Sequence, residues 1–241
     1  MNAHAGIWAI LPAAGAGTRM GTPLPKQYLP LLNETVIAIT IKRLVNFPAI
    51  KGILVGIAPD DPHWPAIKYQ LGSLSAPLQT FTGGDTRAQT VLNGLIALSE
   101  KSEEGDWVLV HDAARPCVRH DDIHKLIKET GGAGDGGILA LPVADTVKRT
   151  DDKHRISNTV SRENLWRALT PQYFPVIGLR NALTKALQEG VAITDEASAM
   201  EYSGARPRCV AGHADNIKIT YAADLELAEM YLRNQEKELK Q

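Results

Sequence analysis

A glycine-rich segment near the start of the chain has residue types that could hold a phosphate group. Residues 12–17 read Pro-Ala-Ala-Gly-Ala-Gly and follow the apolar run 6–11, which has the composition of a buried strand. A turn without bulky side chains can bring several backbone N–H groups up to a phosphate. Arg19 and Lys26 flank this turn, and a guanidinium together with an ammonium group suits a polyphosphate. The segment predicts a nucleotide-phosphate site, with a tight turn whose charges face water as the open alternative.

The spacing of these glycines departs from the two common phosphate-binding motifs. The dinucleotide fingerprint needs a glycine where this chain has Met20, and the Gly-Lys-Ser/Thr end of the P-loop is absent. A dinucleotide-dependent oxidoreductase and a non-catalytic nucleotide-binding module therefore stay as alternatives. NADH binding would favour the first, and a nucleotide that stays bound without turnover would favour the second.

Asp112 lies just beyond the apolar run 107–110, where a parallel sheet opens its ligand crevice. A carboxylate there suits Mg²⁺, which commonly binds one or two carboxylates and substrate phosphates. Beside the glycine-rich loop we favour this metal role. A helix cap or a salt bridge with Arg115 is the alternative.

Three further segments combine turn residues with polar side chains. Gly83-Gly84-Asp85, followed by Thr90, forms a turn into a helix that could face a base edge or could simply use Asp85 as an N-cap. Residues 194–196, Thr-Asp-Glu, predict a helix N-cap. Lys218, between two isoleucines, could point into a crevice or towards solvent.

Composition and charge exclude several classes of function. The chain has 241 residues, 44% of them hydrophobic, and a formal net charge of −1, so nothing global attracts nucleic acid or an anionic membrane. The two cysteines, Cys117 and Cys209, form no C-x-x-C motif and fit a reducing compartment. No segment has the roughly 18 apolar residues of a membrane-spanning helix. We expect a cytoplasmic enzyme.

Apolar runs that alternate with helical patterns predict one α/β domain over residues 1–241, a Rossmann-like, mostly parallel twisted sheet flanked by helices. Residues 142–170 are too polar for the core and predict a projecting β-hairpin arm. Beyond the arm we expect strands at 207–210 and 216–220 and a helix from about residue 222. The charged tail 233–241 is expected to fray.

Six motifs, in order along nearly the whole chain, together carry a family resemblance. They are Pro12-Ala-Ala-Gly-Ala-Gly-Thr-Arg-Met with Pro25-Lys-Gln-Tyr, Gly83-Gly84-Asp85-x-Arg87-x-x-Thr90-Val, Val110-His-Asp112-Ala-Ala-Arg115-Pro, Ala168-Leu-Thr170-Pro-Gln, Thr194-Asp-Glu-Ala-Ser and Asp215-Asn-Ile-Lys218-Ile-Thr. The sequence thereby resembles the 2-C-methyl-D-erythritol 4-phosphate cytidylyltransferases. Thr90, where the family more often has Ser, keeps the hydroxyl and so the expected nucleotide contact. Thr18, where a second Arg is common, leaves Arg19 as the cation that is carried over.

The resemblance implies a reaction of CTP with 2-C-methyl-D-erythritol 4-phosphate that releases pyrophosphate, with Mg²⁺ as cofactor. Catalytic roles are implied for Arg19, Lys26, Arg162 and Lys218. Nucleotide contacts are implied for Pro12, Ala13, Ala14, Gly15, Gly17, Gly83, Asp85 and Thr90. Polyol-phosphate contacts are implied for Asp112, Arg115, Thr146, Thr170 and Thr194, with Asp112 also the metal ligand.

The arm at 142–170 carries Arg162, so we expect a homodimer in which this side chain reaches the partner's site. Another polyol phosphate, such as ribitol 5-phosphate, is the nearest alternative substrate.

Overall fold

A computed structural model describes residues 6–15, 24–132 and 134–238 of the protein. The strands, in chain order, are β1 Ile7–Pro12, β2 Pro30–Leu31, β3 Glu34–Thr35, β4 Ile50–Ile57, β5 Leu78–Thr82, β6 Trp107–Val110, β7 Gly137–Pro142, β8 Val147–Thr150, β9 Ile156–Val160, β10 Trp166–Pro175 and β11 Arg208–Ala211. The helices are α1 Val36–Val45, α2 Trp64–Leu71, α3 Arg87–Ser99, α4 His120–Thr130, α5 Val176–Gln188, α6 Glu196–Tyr202 and α7 Ala223–Glu238, with a 3₁₀ turn at Lys26–Tyr28.

Within these described residues, seven strands form a central sheet in the order β11-β7-β10-β6-β1-β4-β5. Six of them run in one direction, and β10 runs antiparallel to both of its neighbours, β6 and β7. The predicted α/β fold with a mostly parallel sheet is confirmed.

Helices cover both faces of the sheet, which explains why its central strands are apolar on both sides. In β1, Leu11 packs into a core that includes side chains of α1, α2 and α4, whereas the adjacent Ile10 packs into a core that includes α3, α5 and α6. Successive side chains of a strand point to opposite faces, so each strand must supply apolar residues to both layers.

Three expectations about the second half of the chain are wrong. Residues 216–220, all of them described, form no strand; the Ile219 N–H instead donates to the Ala114 carbonyl at 2.9 Å, so the segment lies along the loop after β6. The predicted arm 142–170 is too long, because β10 begins at Trp166 and pairs with β7. The expected fraying of 233–241 is wrong for residues 233–238, which remain helical, with Glu238 accepting from Arg119 at 2.6 Å; residues 239–241 lie outside the described residues.

The segment between β7 and β10 contains the predicted antiparallel hairpin, β8 paired with β9. Its two strands pair only with each other and are largely exposed. We call residues 143–165 the arm from here on. The helices of the described ranges include none that is long and apolar enough to cross a membrane.

Candidate active site

A cavity of about 540 Å³ opens at the carboxyl ends of β1, β4, β5 and β6. Ligand sites of α/β sheets lie at this edge because the loops after parallel strands meet there. The lining consists mainly of loop residues: Pro12, Ala13, Ala14, Gly15, Lys26, Gln27, Ala58, Pro59, Gly83, Gly84, Asp85, Thr86, Arg87, Thr90, Asp112, Ala113, Ala114, Lys218 and Thr220. We call this the nucleotide cavity.

The loop after β1 is held by a side chain that the sequence reasoning left without a role. The buried amide of Gln27 donates to the Ala13 carbonyl at 2.8 Å and to the Gly15 carbonyl at 3.1 Å. The neighbouring Lys26 donates through Nζ to the Ile219 carbonyl at 3.0 Å. The 3₁₀ turn therefore fixes the loop and brings an ammonium group into the cavity wall.

The loop after β5 approaches the loop after β1 so closely that a side chain would not fit. The Gly83 N–H donates to the Ile57 carbonyl at 2.8 Å, and a Cβ at this position would lie 2.4 Å from the Cβ of Ala14. The hydroxyl of Thr90 accepts from the Gly84 N–H at 3.0 Å and donates to the Thr86 carbonyl at 2.9 Å. Thr90 thus braces the backbone of this loop from inside α3.

The helix that follows this loop is capped by Thr86, whose hydroxyl accepts from the Gln89 N–H at 3.1 Å. The alternative that made Asp85 the N-cap is therefore wrong. Asp85 is exposed at the cavity wall.

Asp112 is surrounded by three cationic side chains. Its Oδ1 is 3.1 Å from Nε of Arg87, and its Oδ2 is 2.8 Å from Nζ of Lys218 and 3.4 Å from Nε of Arg115. Burial disfavours the charged carboxylate, but these cations outweigh burial and hold the pKa of Asp112 well below its usual range. Lys218 consequently faces the crevice, and the alternative that pointed it to solvent is wrong.

A second cavity, of about 270 Å³, shares Arg87, Asp112 and Lys218 with the first. Its other lining residues are Arg115, Ala168, Leu169, Thr170, Gln172, Thr194 and Asp195. We call it the acceptor cavity. Because the shared side chains carry two positive charges and one negative charge, the junction of the cavities suits anionic groups from both sides.

The floor of the acceptor cavity is a hydrogen-bonded network around His111, which is fully buried. One ring nitrogen, Nε2, lies 3.0 Å from the Arg115 carbonyl, which can only accept, so Nε2 carries the proton. The other, Nδ1, accepts from the Thr170 hydroxyl at 3.0 Å, and that hydroxyl accepts from the Asp112 N–H at 3.0 Å. Burial lowers the pKa of His111 to about 4, which keeps the ring neutral near pH 7.

The Lys218 segment is tied to the same network by Asn216. Its amide donates to the Thr170 carbonyl at 2.8 Å, and its own carbonyl accepts from Nη1 of Arg115 at 2.7 Å. These long-range bonds replace the strand pairing that the sequence predicts for this segment.

The start of α6 forms another wall of the acceptor cavity. Asp195 is the N-cap, and it forms a capping box with Ser198. Gln172 of β10 binds both sides of this cap: it donates to Oδ2 of Asp195 at 2.9 Å and accepts from the Ala197 N–H at 2.9 Å. Thr194, immediately before the cap, is therefore held at the cavity edge.

Comparison with known proteins decides which family this arrangement belongs to. The family model described as 2-C-methyl-D-erythritol 4-phosphate cytidylyltransferase matches residues 7–234. The chain belongs to this family.

Proteins named as such cytidylyltransferases from Haemophilus influenzae (strain PittGG) and Shewanella halifaxensis are each 49% identical, over 94% and 95% of this chain and 96% of each relative. The cytidylyltransferase structure from Francisella tularensis aligns with a TM-score of 0.81 at 34% identity, over 94% of this chain and 100% of that one. The structure from Thermus thermophilus aligns with a TM-score of 0.76 at 28% identity, over 95% of this chain and 99% of that one.

The cytidylyltransferase fold brings most of the expected site residues together; of the other four, two lie outside the described residues and two lie on the arm. Gly17 and Arg19 fall outside the described residues. Thr146 and Arg162 lie on the arm, are exposed and line neither cavity, and Arg162 donates to the Ala144 carbonyl of its own arm.

The described residues contain no cluster of three potential metal-ligating side chains. Asp112 and Asp85 are the carboxylates that line the nucleotide cavity. Mg²⁺ commonly keeps several waters and binds substrate phosphates and one or two carboxylates, so this donor set fits an ion held mainly by water and substrate phosphates.

Proposed function

We propose that this cytidylyltransferase transfers the cytidylyl group of CTP to 2-C-methyl-D-erythritol 4-phosphate, giving 4-diphosphocytidyl-2-C-methyl-D-erythritol and pyrophosphate. The observation that carries the proposal is the pair of cavities that share Arg87, Asp112 and Lys218. A nucleotide in one cavity and a phosphate in the other would meet beside the same charged side chains. The relatives named above carry this substrate in their names.

The proposed reaction needs no general base on the protein. An oxygen of the acceptor phosphate attacks the α-phosphorus of CTP, and the bond from that phosphorus to the bridging oxygen of the β-phosphate breaks. A phosphate monoester has a second pKa near 6, so the attacking group is already ionised at neutral pH. Catalysis is then alignment of the two phosphates and stabilisation of their charge.

We assign the alignment and charge stabilisation of the phosphates to cations on both sides of the α-phosphate. Lys26, with Arg19, would stabilise the transition state and the leaving pyrophosphate. Lys218 would hold the acceptor phosphate, assisted by Arg115 and Thr194. Thr170 would act through the Asp112 N–H that its hydroxyl accepts from.

The nucleotide itself would lie against the loops after β1 and β5. Residues 12–15 would face the phosphates, and Gly83 and Asp85 would face the cytosine ring. Thr90 would keep the second loop in place through its contacts with Gly84 and Thr86. A site built on backbone hydrogen bonds discriminates strongly between the amino group of cytosine and the oxygen of uracil.

Asp112 would supply the protein ligand of Mg²⁺. When bound, Mg²⁺ would supply positive charge that offsets the charge of the substrate phosphates. We expect Asp112→Asn to weaken the response of turnover to added Mg²⁺, because the substitution removes an anionic ligand. A Mg²⁺ titration that is the same in the variant and the wild type would contradict this role.

We further propose a homodimer in which the arm delivers Arg162 and Thr146 to the acceptor cavity of the partner. The exposed Ile156 and Trp166, at the arm and its base, are large apolar side chains that a second copy could cover. We place the enzyme in the cytoplasm, since both cysteines are free thiols.

A pyrophosphate-release screen tests the reaction. Each nucleoside triphosphate is paired with 2-C-methyl-D-erythritol 4-phosphate or ribitol 5-phosphate, with Mg²⁺ or with a chelator. We expect pyrophosphate only with CTP, the methylerythritol phosphate and Mg²⁺. Equal turnover with UTP, or turnover that survives chelation, would refute the proposal, and preference for ribitol 5-phosphate would change the substrate.

Subunit mixing tests the contribution of Arg162 in trans. Arg162→Ala and Lys26→Ala, each inactive, are unfolded and refolded together, so that about half of the dimers are mixed. Each mixed dimer has one site with both defects and one intact site, so activity should return to about a quarter of wild type. If sizing proves that subunits exchanged and activity stays at the level of the parents, Arg162 serves its own chain.

A further inference from the structure

The cavities are joined by an ion pair that the proposed reaction does not use. Nη1 and Nη2 of Arg87 donate to the two carboxylate oxygens of Glu196, at 2.6 Å and 3.1 Å. Nε of the same guanidinium donates to Oδ1 of Asp112 at 3.1 Å. The side chain of Glu196 is 1% exposed. A buried carboxylate is costly unless it is paired, so Glu196 depends on Arg87 to stay charged inside the protein.

The pair links two helix starts. Arg87 is the first residue of α3, directly after the nucleotide loop 83–86, and Glu196 is the first residue of α6, two positions after Thr194. The nucleotide loop lines one cavity and Thr194 lines the other. One forked guanidinium therefore fixes the distance between the two binding loops.

The geometry of Asp112 depends on the same guanidinium. While Glu196 holds both Nη atoms, Arg87 can offer Asp112 only Nε, which occupies Oδ1. Oδ2 then remains for Lys218 and Arg115. Without the charge of Glu196, the Nη atoms of Arg87 would be free to form a bidentate pair with Asp112 or to bind an incoming phosphate. Lys218 would then lose its contact with Asp112.

We propose that the Arg87–Glu196 pair is a positioning bridge that couples the two cavities, so that each substrate strengthens the binding of the other. A ligand that orders the nucleotide loop also fixes the fork, and the fork fixes the start of α6 and the Asp112–Lys218 contact. Binding of the second ligand then has less ordering left to do. This inference rests on the proposed function, because it takes CTP and the polyol phosphate as the two ligands.

Equilibrium binding measures the coupling. The probe is α,β-methylene CTP, a non-reacting analogue, titrated into the full-length protein with Mg²⁺ in the absence and in the presence of saturating 2-C-methyl-D-erythritol 4-phosphate. Couplings between sites in proteins are typically about 5- to 150-fold, and we expect about 10-fold in the wild type. In Glu196→Gln we expect about 2-fold or less, while the analogue alone binds within about 3-fold of wild type.

A structural role would lower the melting temperature without changing the coupling, so a matched buried carboxylate serves as control. Asp106 precedes β6, at the opposite edge of the sheet, and accepts from the Gly6 N–H at 2.6 Å and from Nε1 of Trp8 at 2.8 Å. We expect Asp106→Asn to melt earlier and to keep the full coupling. Arg87→Lys keeps the charge but loses the fork, and it should lose most of the coupling as Glu196→Gln does.

Turnover of the wild type is measured first, so that failure of the bridge is distinguished from failure of the proposed reaction. Wild-type turnover without coupling, or coupling that survives in Glu196→Gln, overturns the bridge and leaves the reaction standing. If Glu196→Gln does not fold, Arg87→Lys decides: retained coupling overturns the bridge, and lost coupling together with full coupling in Asp106→Asn supports it.

Discussion

The two cavities lie side by side but are lined by different kinds of chemical groups. The nucleotide cavity is lined mainly by backbone groups and small residues, in loops that follow parallel strands adjacent in the sheet. The acceptor cavity is walled by charged and hydrogen-bonding side chains that are braced from β6, β10, α6 and residues 216–218. A substitution in the nucleotide cavity should change the shape of that cavity locally. A substitution in the acceptor cavity should disturb several hydrogen-bonded side chains at once.

Among the variants that contrast the two cavities, the largest effect is expected for Lys218→Ala, which tests whether the shared cations serve the acceptor side. The change removes the ammonium group 2.8 Å from Asp112. Because that charge is placed for the transition state, kcat should fall by about 10² or more, with little change in KM for CTP. Steady-state kinetics with both substrates varied give the result, and Lys42→Ala, at an ion pair on α1, is the control. A loss confined to KM for CTP would assign Lys218 to the nucleotide side.

Acid should weaken the acceptor network through His111. Its pKa is about 4 in the folded protein and 6.5 as a free group, so the unfolded chain binds a proton between these values and the folded chain does not. Stability is therefore lost as pH falls from about 6.5 to about 4, by up to about 3 kcal/mol for this ring. Urea unfolding at stepped pH should give a shallower decline for His111→Asn than for the wild type.

The control for His111→Asn is His154→Asn. His154 lies exposed at the end of the arm hairpin with a positive φ of 59°, a conformation that asparagine adopts readily. The stability of His154→Asn should change with pH as the stability of the wild type does. Parallel declines in all three proteins would show that the buried ring does not carry the acid sensitivity.

Gly83→Ala tests the nucleotide cavity through shape alone. The new methyl group would lie 2.4 Å from the Cβ of Ala14, so one of the two loops must shift. We expect KM for CTP to rise about 10-fold while KM for the acceptor changes less than about 3-fold, since Gly83 meets the nucleotide loops directly and reaches the acceptor cavity only through Arg87. Gly134→Ala, with nothing within 4 Å, should behave as wild type. Equal increases in both KM values would mean that the cavities respond as one unit.

The difference between the two cavities explains which parts of the structure could be predicted from the sequence. β1 and β6 are contiguous apolar runs, each followed by its own turn, so the runs 6–11 and 107–110 predicted them to within one residue. No strand was predicted at β10, because its first residues are exposed and continue the polar pattern of the arm. Asp112 and Lys218 were identified as candidate site residues by their positions in the motifs.

The braces of the acceptor cavity left no local signal in the sequence. Arg87, His111, Gln172 and Glu196 act through partners that are mostly far away in the chain, such as Arg87 with Glu196. All four stand inside the quoted motifs, and that placement was the one available hint. Which partner such a side chain meets is decided by tertiary packing, which spacing along the chain does not encode.

The smallest effect is expected for Thr90→Ser, which separates the hydroxyl of Thr90 from its methyl group. Serine keeps the hydroxyl that braces Gly84 and Thr86, and it loses the Cγ2 that fills the space over Gly56. We expect a loss of about 1 kcal/mol in stability, as for one buried methyl group, and a change in KM for CTP of about 2-fold.

Thr90→Val is the matched variant, because it keeps the shape and removes the hydroxyl. The Gly84 N–H then loses its acceptor, so the loop should loosen and KM for CTP should rise about 10-fold, by the cost of an unsatisfied buried donor. Steady-state kinetics and thermal melts of both variants give the comparison. If serine raised KM for CTP and valine did not, the methyl packing rather than the hydrogen bond would hold the loop, and the wall of the nucleotide cavity would depend on side-chain volume.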